Sequence, residues 1–233
     1  MVKPLLFTVI LLASSGASVL AQNDSTFLAD AKKNAVWIYT QSVGVQSHLF
    51  NGSEYREYHA MRDEFPYLFD DVMFGGIKYS GEVYENIPLY YDLEKDQVVT
   101  SYTHGSKVQL LRDKVEYFDI GEHRFVRLNN NKVAEGFYDL LYDGKMKYYA
   151  RRQKVLVTKV NGNSGENAFE ERVKYYIVKD GVFHTVKGKR SVMGLVKDKK
   201  KELKKIMREE KLKFGKTREK STARLLERYE QIQ

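Results

Sequence analysis

The chain is 233 residues long, 42% hydrophobic and 30% charged, with 17 Tyr, 12 Phe, 3 Pro and a formal charge of +8. This balance excludes a disordered, collagen-like or membrane-saturated polymer, and at this length a core can form without a metal or disulfide staple. No cysteine is present, which removes thiol nucleophiles, thiolate zinc sites, iron–sulfur ligation and disulfide frameworks.

Residues 1–21 place a single Lys3 before an apolar run at 5–12, small residues at 13–18 and the exit Val19-Leu20-Ala21. That three-part pattern predicts a secretory signal peptide cleaved after Ala21, and hence a periplasmic or extracellular location. The apolar run is shorter than the ~20 residues a membrane span needs. No later stretch approaches that length, so no transmembrane span is expected. A bacterial lipid anchor would need a cysteine as the first mature residue, so none is expected either.

Residues 22–188 are predicted to form one α+β unit. Ser25 or Thr26 caps a first helix in which Phe27, Leu28, Ala31, Ala35 and Ile38 recur at three- and four-residue spacing, and Gly44 ends it. From there to Val186 the pattern is short β-type runs. Asp180-Gly181 and Asp143-Gly144, each between two such runs, predict hairpins with type I′ turns. Weaker turns are predicted at Ser80-Gly81, Glu85-Asn86, Asp92 to Asp96, His104-Gly105, Gly121 and Asn129 to Asn131, and 161–165 reads as a loop. Reversals every 8 to 12 residues predict a curved antiparallel meander or barrel-like sheet of about ten short strands.

Residues 189–233 read as a pair of amphipathic basic helices packed on the sheet. Ser191 is the expected cap of the first, with Val192, Leu195, Val196, Leu203, Ile206 and Met207 on one side and Lys199 interrupting the seam; Thr217 starts the second. Charge separates this segment from the rest. Residues 22–188 carry 22 Lys/Arg against 24 Asp/Glu, a net of −2, whereas 189–233 carry 16 against 7, a net of +9.

Four strings, SHLFNGSEY at 47–55, YENIPLYYDL at 84–93, GFYDLLYDG at 136–144 and KRSV with KDKKKE between 189 and 202, resemble an uncharacterised family of exported proteins from Bacteroidetes-type Gram-negative bacteria. The likeness covers most of the chain after the leader. It implies an envelope or secreted location and brings no activity with it.

Motifs for chemistry are sparse. No phosphate loop or dinucleotide fingerprint is present, and the elbow Gly-x-Ser-x-Gly is absent. The five histidines, His48, His59, His104, His123 and His184, share no local spacing for a metal, so no metal and no cofactor is expected. Asp92, Glu94 and Asp96 begin like a calcium loop, but Gln97 and Thr103 stand where its glycine and glutamate belong, which favours a polar turn. Asp70-Asp71, Asp119, Glu122, Asp139 and Asp143 are candidates for paired carboxylates.

Two features point to binding. The adjacent pairs Tyr90-Tyr91, Tyr148-Tyr149 and Tyr175-Tyr176 fall on predicted strands, so each presents one ring to either face, and the outward set is a candidate surface for a glycan or a partner. The basic tail, with Lys197, Lys200, Lys201, Lys204, Lys205 and Arg208, is a candidate contact with an anionic lipid surface. Nucleic acid is not an expected partner of an exported chain. The expected function is an exported, non-catalytic binding or structural module for an envelope protein, a glycan or an anionic lipid. The alternative is a periplasmic hydrolase using dispersed carboxylates and a histidine.

Overall fold

A computed structural model describes residues 52–58, 65–101, 106–161 and 164–232, together with Leu28, Ala31, Lys32, Ala35 and Leu49. The expected signal peptide, most of the expected first helix and the His104-Gly105 turn lie outside these residues.

Among the described residues eleven strands form one antiparallel sheet: β1 (Ser53–Glu54), β2 (Met73–Tyr79), β3 (Glu82–Asp92), β4 (Gln97–Ser101), β5 (Lys107–Gln109), β6 (Val115–Ile120), β7 (His123–Leu128), β8 (Gly136–Asp143), β9 (Lys147–Asn161), β10 (Ser164–Lys179) and β11 (Val182–Val186). Their order across the sheet is β1-β5-β4-β3-β2-β6-β7-β8-β9-β10-β11. Two local meanders therefore meet at β2 and β6. The chain leaves β5, crosses on a 3₁₀ turn at Arg112–Lys114 and re-enters beside β2. That crossing is secured where the Lys114 carbonyl accepts the Ser80 amide at 2.8 Å.

Turn chemistry explains the hairpins. Ser80 and Gly81 (φ 52° and 85°) join β2 to β3, and Asp180 and Gly181 (φ 51° and 73°) join β10 to β11, the doubly positive dihedrals of type I′ turns. Three expectations are corrected. Glu85-Asn86 is no reversal: Asn86 takes φ 57° inside β3, at a bulge where the pairing with β2 shifts between Gly75 and Ile77. The Asp143-Gly144 hairpin exists, but Asp143 pairs with Lys147 and its loop is Gly144, Lys145 and Met146. Burial of Met146, 4% exposed, and capture of its amide by Glu230 (2.7 Å) draw that loop under the helices. The region 161–165 is likewise no long loop, because Asn161 pairs with Ser164 and β9 and β10 are 15 and 16 residues long.

The sheet curls without closing. The turn between β3 and β4 reaches β8 and β9, where the Lys154 amide donates to the Leu93 carbonyl at 3.2 Å. Inside the curl pack Ile77, Tyr79, Leu89, Tyr91, Val115, Phe118, Phe125 and Phe137. The Tyr91 ring lies 5.1 Å from Phe118 and 4.7 Å from Phe125, between centroids. Each such side chain contributes roughly 1.5–3 kcal/mol by leaving water.

Three helices follow: α1 (Lys189–Leu195), α2 (Lys200–Glu209) and α3 (Arg218–Gln231). They cover the far part of the sheet, with Val192, Val196, Leu203, Met207, Leu225, Leu226 and Tyr229 against Tyr148, Ala150, Tyr175 and Ile177. Spacings of three and four put each helix's apolar residues on the sheet side. The expected first basic helix is thus two helices, divided by a 3₁₀ turn at Lys197–Lys199 where Lys199 would have broken the apolar seam. Ser191 is the third residue of α1 rather than its cap: Gly188 holds that position, and the Ser191 hydroxyl accepts the Lys187 and Gly188 amides at 3.0 and 3.1 Å.

Gly136 lies tight against a buried ion pair. Its φ is 147°, and a Cβ there would collide with the Asp96 carboxylate and both terminal nitrogens of Arg151. Gly136→Ala is expected to cost roughly 3 kcal/mol of unfolding free energy, the order of a disrupted buried ion pair, measured by urea denaturation. A loss below about 0.5 kcal/mol, the scale of an inert surface change, would count against it.

Candidate functional site

The tyrosine pairs do place their members on opposite faces, but they build no shared exposed platform. Tyr91, Tyr148, Tyr149 and Tyr175 are buried, and Tyr90 and Tyr176 are half-buried. Tyr149 stacks on Phe183 at 6.3 Å, and Tyr138, completely buried, meets both Tyr149 and Tyr176 edge-on. Loop 129–135 closes over this side: the Tyr138 hydroxyl donates to the Ala134 carbonyl and the Lys132 ammonium to the Gly181 carbonyl. Tyr90 packs 5.0 Å from Tyr67 under the Lys107 ammonium. The outward rings serve as cover for their neighbours.

Two buried arginines organise the charge inside the fold. Arg151 and Arg152 are adjacent on β9 and so leave it on opposite faces. Arg151 donates to both oxygens of Asp96 at 2.8 Å and to the Phe137 carbonyl at 2.6 Å, while the Tyr91 hydroxyl donates to Asp96 at 2.6 Å. Arg152 enters the seam between the two cores. Asp139, paired in register with Phe125 on one side and Ala150 on the other, accepts Arg152 Nε at 2.8 Å. Arg152 Nη2 reaches Glu219 Oε2 at 2.8 Å, and Tyr175 donates to Glu219 Oε1 at 2.7 Å. Burial works against the Arg152 charge, yet Glu219 and Asp139 hold its guanidinium above the ordinary value.

This seam also contains the one carboxylate–histidine contact among the described residues, His123 Nδ1 with Asp139 Oδ2 at 2.7 Å. It resembles the orienting half of a hydrolytic triad. Its chemistry is occupied elsewhere: Arg152 shares the same carboxylate oxygen, and no hydroxyl of the described residues bonds the His123 ring. Asp119 is engaged by Arg124, and Asp143 pairs with Lys147. Among the described residues no group of three or more His, Asp or Glu is placed to hold a metal ion.

A second polar knot lies around the β3–β4 turn. Asp92 is fully buried, accepts the Tyr55 hydroxyl at 2.8 Å and caps the Glu94 and Lys95 amides at 2.9 Å. The Lys95 ammonium lies over the Tyr55 and Tyr58 rings, 4.7 and 4.2 Å from their centroids. The acidic spacing that begins like a calcium loop is therefore a polar turn held by backbone amides, with the exposed Lys95 beside it.

The basic flank is different. Lys197, Lys200, Lys201, Lys204, Lys205 and Arg208 are all exposed, on the side of the helices away from the sheet. Among the described residues only Lys205 of this set forms an ion pair, with Glu209 at 3.8 Å. Of the acids near the stripe, Glu210 is clamped by Arg224 and Arg228 of α3 at 2.7 and 2.6 Å and Glu209 pairs with Lys205, while Asp198 accepts the Tyr229 hydroxyl at 3.1 Å and Glu202 is exposed, so the cations outnumber the acids left beside them. Upstream, Lys189, Arg190, Met193, Gly194, Lys197 and Lys200 line an open groove of about 600 Å³. A second hollow of about 460 Å³, lined by Lys187, Gly188, Lys189, Arg190 and Ser191, adjoins it. Sequence reading missed Lys189, Arg190, Met193 and Gly194; the Lys189-Arg190 doublet just before an apolar run was the available signal.

No family model, no curated protein and no solved structure matches this chain. No helix among the described residues is long and apolar enough to cross a membrane.

Two outcomes test these assignments. Arg152→Met leaves Asp139 buried without its cation, so a loss of about 3–5 kcal/mol is expected; Arg152→Met with Asp139→Asn should recover part of it in the same urea titration. Glu210, held below its ordinary value of 4.5 by Arg224 and then Arg228 against the opposing effect of burial, stabilises the fold above that value. That contribution disappears as pH falls through the lowered folded-state value. Melting temperature plotted against pH should therefore fall less steeply for Glu210→Gln than for the parent below about pH 4.5.

Proposed function

We propose that this chain is an exported, non-catalytic envelope module that docks on an anionic lipid surface through its basic helical flank. The observation that carries the reading is a contrast within one molecule. Many cations of the sheet are matched by carboxylates: Lys78 with Glu116, Lys107 with Glu57, Arg124 with Asp119, Arg127 with Glu135, Arg151 with Asp96 and Arg152 with Asp139. Along α2 the matching is sparse, with only Lys205 paired, to Glu209. Leu203 and Met207 anchor the helix on the sheet side, and the opposite side presents a row of cations.

Such a row gains roughly 1 kcal/mol per cation near a charged bilayer, an attraction that fades within a Debye length. The leader pattern at 1–21 and the resemblance to exported envelope proteins support the exported location. The net charge of +9 over residues 189–233, against −2 over 22–188, supports adsorption rather than insertion. The hydrolase alternative draws no support from the seam, where His123, Asp139, Arg152 and Glu219 satisfy one another.

Co-sedimentation of the mature protein with vesicles tests this reading. Binding is expected to vesicles containing phosphatidylglycerol and not to pure phosphatidylcholine, and to vanish near 1 M salt, where screening acts within ~3 Å. Lys201→Glu/Lys204→Glu/Arg208→Glu should weaken it at least about tenfold, since three reversals remove more than the 1.4 kcal/mol that a factor of ten requires. Equal binding to neutral vesicles, or indifference to salt, would overturn it.

A further inference from the structure

We infer that the groove on α1 is a discrete site for the headgroup end of a single anionic phospholipid, in addition to the diffuse attraction of α2; this rests on the docking reading above. The groove of about 600 Å³ falls within the size range of small-ligand sites. Its composition is amphiphilic. Lys189, Arg190, Lys197 and Lys200 supply four cations around it, and Met193 and Gly194 supply its uncharged wall. None of those four cations forms an ion pair among the described residues. Between 187 and 201 the sequence holds seven cations and one acid, Asp198, which is occupied by Tyr229.

The backbone makes the groove. The break between α1 and α2 at Val196, followed by the 3₁₀ turn Lys197–Lys199, brings Lys197 and Lys200 beside the exposed side of α1. Val196 itself is completely buried, which fixes the break to the core beneath. Gly194 is exposed, and a Cβ there would meet no neighbouring group within 4 Å. The space over it is open groove, and a phosphate between Arg190 and the lysines can leave the first methylenes of its chains over Gly194 and against the edge of Met193, a side chain otherwise buried in the core. Guanidinium supplies paired donors to phosphate oxygens, whereas the lysines act as point charges.

Gly194 gives a charge-neutral test. In a titration with short-chain phosphatidic acid held below its critical micelle concentration, saturable shifts of the Met193, Gly194 and Lys197 amides are expected by NMR. Gly194→Trp fills the groove, and should weaken that binding at least about tenfold, or 1.4 kcal/mol. Its melting temperature and co-sedimentation with anionic vesicles should stay near those of the parent, because the α2 stripe is intact. Gly194→Leu repeats the test should the indole disturb the fold. Saturation by inorganic phosphate with equal affinity, equal affinity for short-chain phosphatidylcholine, or indifference to both Gly194 variants would each overturn the inference. Vesicle binding without saturable short-chain binding removes the groove site alone, whereas loss of both removes the docking reading as well.

Discussion

The pair of guanidinium groups at Arg151 and Arg152 is the constraint on which the architecture depends. A charge taken into a protein interior must meet a counter-charge and full hydrogen bonding, or the fold bears several kcal/mol of unpaid desolvation. Here two neighbouring residues of β9 meet that condition in opposite directions. Arg151 gathers Asp96 from the β3–β4 turn and the start of β8, which draws the sheet into its curl. Arg152 gathers Asp139 from β8 and Glu219 from the first turn of α3, which fixes the helices over the sheet's far half. Curl and cover are consequences of one strand's charge placement, and the close approach at Gly136 is the local backbone condition for it.

That internal matching also decides what remains outside. Carboxylates near β-sheet cations are consumed in pairs, and Glu210, which the sequence would assign to the α2 surface, turns inward to Arg224 and Arg228. The excess positive charge is left on the helical flank by this subtraction. Exposed ion pairs contribute little to stability, so, outside the two buried arginine pairs, the pairing of the sheet's charges matters more for the electrostatic character of its surface than for holding it together.

Much of this could be read from residues alone, for reasons that differ by element. Ser80-Gly81 and Asp180-Gly181 specify their turns because few other residues accept two successive positive φ values. The apolar spacing in 189–233 specifies helices lying on a sheet, and Lys199 signals the place where the first of them divides. Other features depend on partners distant in sequence. Nothing local announces that β6 returns beside β2, that Met146 is drawn from a turn into the core, or that Asn161 and Ser164 continue a long hairpin. The tyrosine pairs were legible as two-faced, but the loop and rings that cover Tyr149 and Tyr138 come from elsewhere in the chain. Buried arginines are the plainest missed signal. The run Tyr148-Tyr149-Ala150-Arg151-Arg152 puts two charges into a strand rich in large apolar side chains, and such charges must be paired wherever the strand is buried.

Anchoring distinguishes the basic flank from a flexible basic tail. A disordered tail loses conformational freedom whenever it is ordered against a surface. In this chain α2 is already fixed by Leu203 and Met207 below and by the Glu210 clamp to α3, while α3 is tied to β9 and β10 through Glu219, Arg152 and Tyr175. The cations therefore meet a surface in a set orientation, with the backbone share of the entropy loss already borne in folding. Asp139 and Glu219 lie several contacts removed from the lysines of α2, yet they help set the direction in which that row points.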